Sequence, residues 1–512
     1  MGDKDHLFSL IRSLKKTEKS YFKKIKSAFG NEDSALLQIF SAIQKQEDYD
    51  EKKILESLDK EAFRDFFASK KHVLYSEILD VLVYCKTKSP DILWQINRLI
   101  SHALLLKEKM LFDDSYKTLQ KAYKLAKDNE FFYKQTEINQ QLIEIQHQQK
   151  TMTDFEFSEN IESIRLDTVK VNEQFINSEK YFILSDNLFK KGEMLRVTSN
   201  ETIKDEMLVL YRDPLLNSES KAISQSALVC FHFIHYVKYM GYELNPVKAC
   251  HHLKKMIEIQ NSLKRFSLRS RIVQMANYVR ITLDIGMKEE AFTMLQKMKE
   301  GSENDADYFV LVNYLVHQDY FYRFTNNIED YRKFHLEMEQ KYEQIIDGIP
   351  FNKEVLDVKH AQFIFNFMDG QYKKVYQISN FLDTQYSLHS FKNAKLYEKI
   401  LKLICAIELD DYDLIQSEIR AVKYLLKSIE DVLPVEVHIF DALERYVKAD
   451  SKDAKKVVLT HYLESYSEKG KPEKSSYLVD GFGFNIWVKS KLSGEKFITL
   501  RFLVETQNFA SK

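Results

Sequence analysis

The sequence predicts an all-α chain, an α-solenoid of about nine antiparallel helix hairpins with a small helical N-terminal region and a C-terminal cap. Three observations predict it. Pro90, Pro214, Pro350 and Pro434 fall between successive pairs of helical patterns, Pro246 stands where a helix begins, and Pro472 follows the last strong helix. Gly192, Gly241, Gly286 and Gly370 fall at the turn inside a pair. Proline is not carried in a helix interior, and glycine ends helices in the left-handed conformation. Finally, the turns recur about every 40 to 50 residues, the period of two-helix repeats.

Residues 1–88 form the N-terminal region, with shorter helices. Thr17 is placed to cap one that runs to Phe29, with Gly30 closing it. Others are expected over Ser34–Gln44, Glu51 to about Leu58, and Phe63–Cys85, the last perhaps interrupted. The array occupies residues 91–466. Its inner turns begin at Met110, Thr153, Gly192, Gly241, Gly286, Asn326, Gly370, Asp410 and Ala449. Ile415, Ile419, Val422, Leu426 and Ile429 advance by fours and threes, one face of a helix. Tyr308–Tyr322 is apolar on nearly every side and strand-like by propensity, but its place in the rhythm predicts a buried helix. Residues 470–512 read as one or two short helices around Trp487, Leu492, Phe497 and Leu503, covering the last apolar face.

At Gly370-Gln-Tyr372-Lys-Lys-Val375, and again over Ser115, Tyr116, Leu119, Ala122, Leu125 and Ala126, the chain resembles the tetratricopeptide-type repeats, here divergent and long. The resemblance implies stacked helix pairs whose first helices line a concave surface. On that reading Tyr278, Tyr314 and Tyr322 become partner-binding anchors.

Composition narrows the function classes. The 75 basic and 76 acidic residues nearly cancel, so no global grip on nucleic acid or an anionic membrane is expected. Four scattered cysteines make no disulfide framework and fit a reducing compartment. The charged start lacks the apolar core of a signal peptide, and the most apolar stretch, Ala227–Met240, is too short to span a bilayer. The expectation is a cytoplasmic protein.

No phosphate loop, dinucleotide fingerprint, Gly-x-Ser-x-Gly or His-Glu-x-x-His is found, so no catalytic residue and no cofactor is assigned. The sharpest chemical cluster is His232, His235, His251 and His252, with Cys230 and Cys250 nearby. Imidazoles gathered across a hairpin can hold zinc, but the spacing matches no zinc motif, and the histidines are expected to be unligated at a helix seam. A basic run holds Lys19, Lys23 and Lys26 on one helical face, opposed to Phe22, Ile25 and Phe29. The expected function is a non-catalytic scaffold that binds a peptide or partner protein along the solenoid groove. Its partner should contact first helices between Asp307 and Ile407, where Tyr, Phe, His and Asn are dense. The alternative is a regulatory protein whose basic N-terminal helix contacts nucleic acid or an acidic signalling partner.

Overall fold

In the computed structural model the described residues are 5–28, 33–46, 48–58, 66–87, 90–149, 154–197, 201–304, 307–325, 328–349, 353–389, 392–429, 432–468 and 477–510. They are all-helical, and no strand occurs among them. None of these helices is long and apolar enough to cross a membrane. The chain divides into two compact units. One is Met1–Ile183 with Ser220–Ala227 and Leu263–Arg265, and the other is Leu184–Glu219, Leu228–Ser262 and Phe266–Lys512.

The first unit opens with α1 (His6–Ser13), α2 (Lys16–Ala28), α3 (Asp33–Gln44), α4 (Glu51–Glu56) and α5 (Phe67–Thr87). Leu7, Ile11, Phe22, Ile39, Phe40 and Ile78 form their shared core. The rings of Phe22 and Phe40 meet at 4.8 Å. Thr17 is not the cap expected of it. The helix starts one residue earlier, where the Glu18 carboxylate accepts the Lys15 N–H at 2.8 Å. Phe29, Gly30 and Phe63 lie outside the described residues.

Next come α6 (Ile92–Glu108), α7 (Phe112–Asp128) and α8 (Phe132–Gln149), each packed on its neighbour. Buried Ser115 lets α6 and α7 approach, and its hydroxyl donates to the Ala103 carbonyl at 2.6 Å. Met110 takes φ 60° at the turn between them, and Glu130 takes φ 54° between α7 and α8. The long α9 (Asp154–Val197) follows. Gly192, expected at a turn, lies within it, a correction to the hairpin register. Nothing stands within 4 Å of a Cβ built there, so neither left-handed backbone nor close approach demands glycine. Thr153 lies outside the described residues.

The second unit contains α10 (Glu201–Tyr211), most of α11 (Gln225–Gly241), α12 (Pro246–Ser262), α13 (Leu268–Asp284), α14 (Lys288–Asn304) and α15 (Tyr308–Thr325). The segment of ambiguous propensity is therefore a helix. Its Val310, Leu315 and Phe321 are buried, so packing overrides β preference. After it come α16 (Ile328–Glu337), a π turn over Met338–Tyr342, and α17 (Glu343–Asp347). Then follow α18 (Lys353–Met368), α19 (Tyr372–His389), α20 (Lys392–Leu409), α21 (Tyr412–Ser428), α22 (Pro434–Lys448) and α23 (Lys452–Glu468). Gly286, Gly370 and Asp410 take positive φ at the turns α13–α14, α18–α19 and α20–α21.

The end of the chain forms α24 (Phe484–Ser493) and α25 (Phe497–Ala510). Trp487 is fully buried, and its indole N–H donates to Glu408 at 2.6 Å. Besides packing on α23, this segment returns to α15: the Phe502 ring stands 5.6 Å from Tyr331.

Candidate functional site

Helix α15 presents two chemically distinct faces. Asp307 starts it, accepting the Phe309 N–H at 2.9 Å while pairing with Arg269 at 3.1 Å. On one face Leu311, Tyr314, Gln318, Phe321 and Thr325 advance by threes and fours. Clefts open above this face. The larger, about 570 Å³, has Phe292, Gln296 and Lys299 of α14 on one wall and Asp330, Lys333, Phe334 and Glu337 of α16 on the other. Tyr314, Gln318, Phe321 and Tyr322 form its floor. A second cleft of about 400 Å³ begins one turn along both walls, over Leu311 and Tyr308, flanked by Ser302, Glu303, Lys341 and Ile345. Both volumes lie in the range of ligand pockets.

The wall formed by α16 is not regular. The π turn Met338–Tyr342 inserts a residue where the two clefts adjoin, and it buries Met338 and Tyr342 while Lys341 faces out. Such insertions recur at binding sites because they re-aim side chains within a helix. Among the described residues Phe292, Tyr308 and Ile345 stand out along the groove, 46%, 54% and 39% exposed.

Behind the floor, the opposite face of α15 is locked by a buried carboxylate. Asp319 accepts from Tyr331 O–H at 2.8 Å and contacts His335 Nε2 at 2.8 Å, and its other oxygen lies 3.0 Å from Arg323. Burial pushes the Asp319 carboxyl up, but Arg323, His335 and Tyr331 together outweigh it and hold it below the ordinary aspartate value. The lock fixes α16, and so the cleft wall, to the floor helix.

The sequence candidates divide. Tyr314 and Tyr322 meet in the larger cleft, Tyr314 only 6% exposed and Tyr322 half-buried. Tyr278 does not join them. It is 2% exposed, and its hydroxyl donates to Glu290, so it is a core residue rather than an accessible anchor. The basic face is also corrected. Lys26 is buried and pairs with Glu77 at 2.6 Å, and Lys23 lies over the Phe40 ring at 5.6 Å. The face expected to be solvated is thus partly turned onto α3 and α5.

The histidines do gather, but onto each other. Nδ1 of His232 and Nδ1 of His252 share a hydrogen bond at 3.0 Å, and the His235 ring stacks on His252 at 4.8 Å. His251 meets His252 edge-on at 5.5 Å. His235 Nε2 reaches the Leu216 carbonyl at 3.3 Å. Burial pushes His232 down to about 4 and His252 down to about 3. No group of three or more His, Cys, Asp or Glu among the described residues is arranged to hold a metal ion.

Sequence reading missed Phe292, Lys299, Gln318 and Lys333. The three-and-four spacing of Leu311, Tyr314, Gln318 and Phe321 was the available signal, hidden because apolar residues surround α15 on every side. Comparison of the chain with known protein families, with curated proteins and with solved structures finds no match.

Proposed function

We propose that the helix pairs stack as an α-solenoid and that the chain is a non-catalytic interaction protein. Its binding surface is the groove above α15, between α14 and α16–α17. One observation carries this reading: two adjoining clefts share the floor of one helix, with apolar side chains exposed on their rims. A groove of that form suits a peptide segment laid along it, whose side chains enter the clefts in turn. Four unbridged cysteines fit the reducing cytoplasm in which we place the protein. The burial of Lys26 weakens the alternative of a basic N-terminal contact with nucleic acid.

The test is selection of a random peptide display library on the purified full-length chain. Binders should compete with one another and lose about 1 to 2 kcal/mol on Phe292→Ala, a rim residue whose loss leaves the fold intact. Binders indifferent to Phe292→Ala, Tyr322→Ala and Tyr308→Ala alike would remove the groove from the reading.

A further inference from the structure

We infer that the larger cleft receives an aromatic side chain bearing an N–H or O–H donor, tryptophan or tyrosine, beside an acidic residue of a partner protein segment. The inference rests on the groove reading above and specifies its occupant.

The floor supplies the first argument. Gln318 is 3% exposed and lines the cleft, yet its Oε1 has no hydrogen-bond partner. A buried acceptor without a donor is costly, and a ligand that brings one recovers that cost on binding. The residues around it are Phe292, Phe321, Tyr322 and Phe334, ring faces and edges against which another ring packs. A phenylalanine satisfies the rings and leaves Oε1 bare. Tryptophan and tyrosine satisfy both, since each carries a donor on an apolar body.

Charge supplies the second argument. Lys299 from α14 and Lys333 from α16 line the same cleft from opposite walls, and neither is in an ion pair among the described residues. The cleft also holds Asp330 and Glu337, but Glu337 pairs with Lys341 at 3.9 Å. With Lys341 counted, three cations face two anions, and the two unpaired lysines flank the opening. A carboxylate next to the inserted ring is placed to meet them, while a cationic neighbour is repelled.

The experiment measures fluorescence polarisation of labelled peptides of one length with the full chain. Their central residue is Trp, Tyr or Phe, and their flanks are Glu or Lys. Trp and Tyr peptides with Glu flanks should bind about tenfold more tightly than the Phe peptide, the scale set by one unsatisfied buried acceptor. Gln318→Met should bring the three within about twofold of each other, with unchanged thermal unfolding. Lys299→Ala with Lys333→Ala should erase the preference for Glu over Lys flanks. Equal binding of Phe in the native chain, or a preference that survives Gln318→Met, overturns the inference, as does failure of every aromatic-acidic peptide to bind. The display selection separates the two levels. Peptides that need Phe292 but lack an aromatic-acidic pair defeat this occupant and leave the groove reading standing, whereas peptides that ignore Phe292 and the other rim residues defeat both.

Discussion

The imidazole of His335 lies flat on the ring of Phe365, centroids 3.9 Å apart and planes within 3° of parallel, while its Nε2 holds Asp319. One stacked ring thereby connects α18 to the carboxylate that ties α15 to α16. Asp319→Asn keeps the shape but leaves Arg323 facing a neutral amide in a dry site. We expect a loss of about 3 to 5 kcal/mol, read from urea unfolding, because breaking a buried pair strands its partner. The sign with pH follows from the depressed carboxyl. Its contribution is present above the unfolded aspartate pKa of 3.8 and disappears as pH falls through the lower folded value.

The histidine cluster titrates in a different window. His232 and His252 have folded pKa values near 4 and 3 against 6.5 unfolded, so the unfolded chain takes up protons that the native one refuses. Stability is full above pH 6.5 and falls as pH drops towards 4. Glu219 opposes the shift at His232, whereas Lys255, His235 and His251 reinforce it. We expect the second unit to lose about 2 kcal/mol between pH 7 and 5, and His252→Phe to flatten that slope. An unchanged slope in the variant would assign the loss elsewhere.

Glu398 behaves in the opposite sense. Burial pushes its carboxyl up to about 7, with the Ser379 hydroxyl and Lys402 pulling it down. Its contribution is whole below pH 4.5 and is lost as pH rises through 7. Glu398→Gln should therefore gain on the native chain by about 2 to 3 kcal/mol between pH 5 and pH 8 in paired denaturation curves.

Lys26 differs from its neighbours in the basic run. It is 8% exposed and paired with Glu77, so Lys26→Ala should lower the unfolding free energy of the first unit by about 1 to 2 kcal/mol. Lys24 is exposed, and Lys24→Ala should be within about 0.5 kcal/mol of the native chain. Equal effects of the two substitutions would contradict the burial of Lys26.

Helix content was readable because proline and glycine act locally. Pro246 and Pro434 begin α12 and α22, and Gly286 and Gly370 close turns in the left-handed conformation. Where other residues take that conformation the signal vanishes. Glu130 looked like one more acidic residue, yet it turns the chain between α7 and α8 and accepts from the N–H groups of Gln225 and Ser226 at 2.7 Å. Gly192 erred the other way, since a glycine is tolerated within a helix at a cost of about 1 kcal/mol. The cleft was half legible. Tyr314 and Tyr322 stood out as aromatic, but Gln318 and the lysines gain their meaning only from what faces them across the gap, and one helix's sequence does not hold that relation.

The π turn at Met338–Tyr342 carries a consequence for how this wall tolerates changes in length. A one-residue deletion ordinarily ruins a helix by rotating everything beyond it by about 100°. Here the helix already contains the surplus residue, so removing Gln340 can restore regular α-helical winding. The altered rotation then falls on Lys341, Tyr342 and Ile345. Such a chain keeps its helix and loses the second cleft, because Tyr342 is turned out of the core and Ile345 off the rim. This short stretch is therefore an indel-sensitive dial: its residue count, more than its composition, sets the width of the groove.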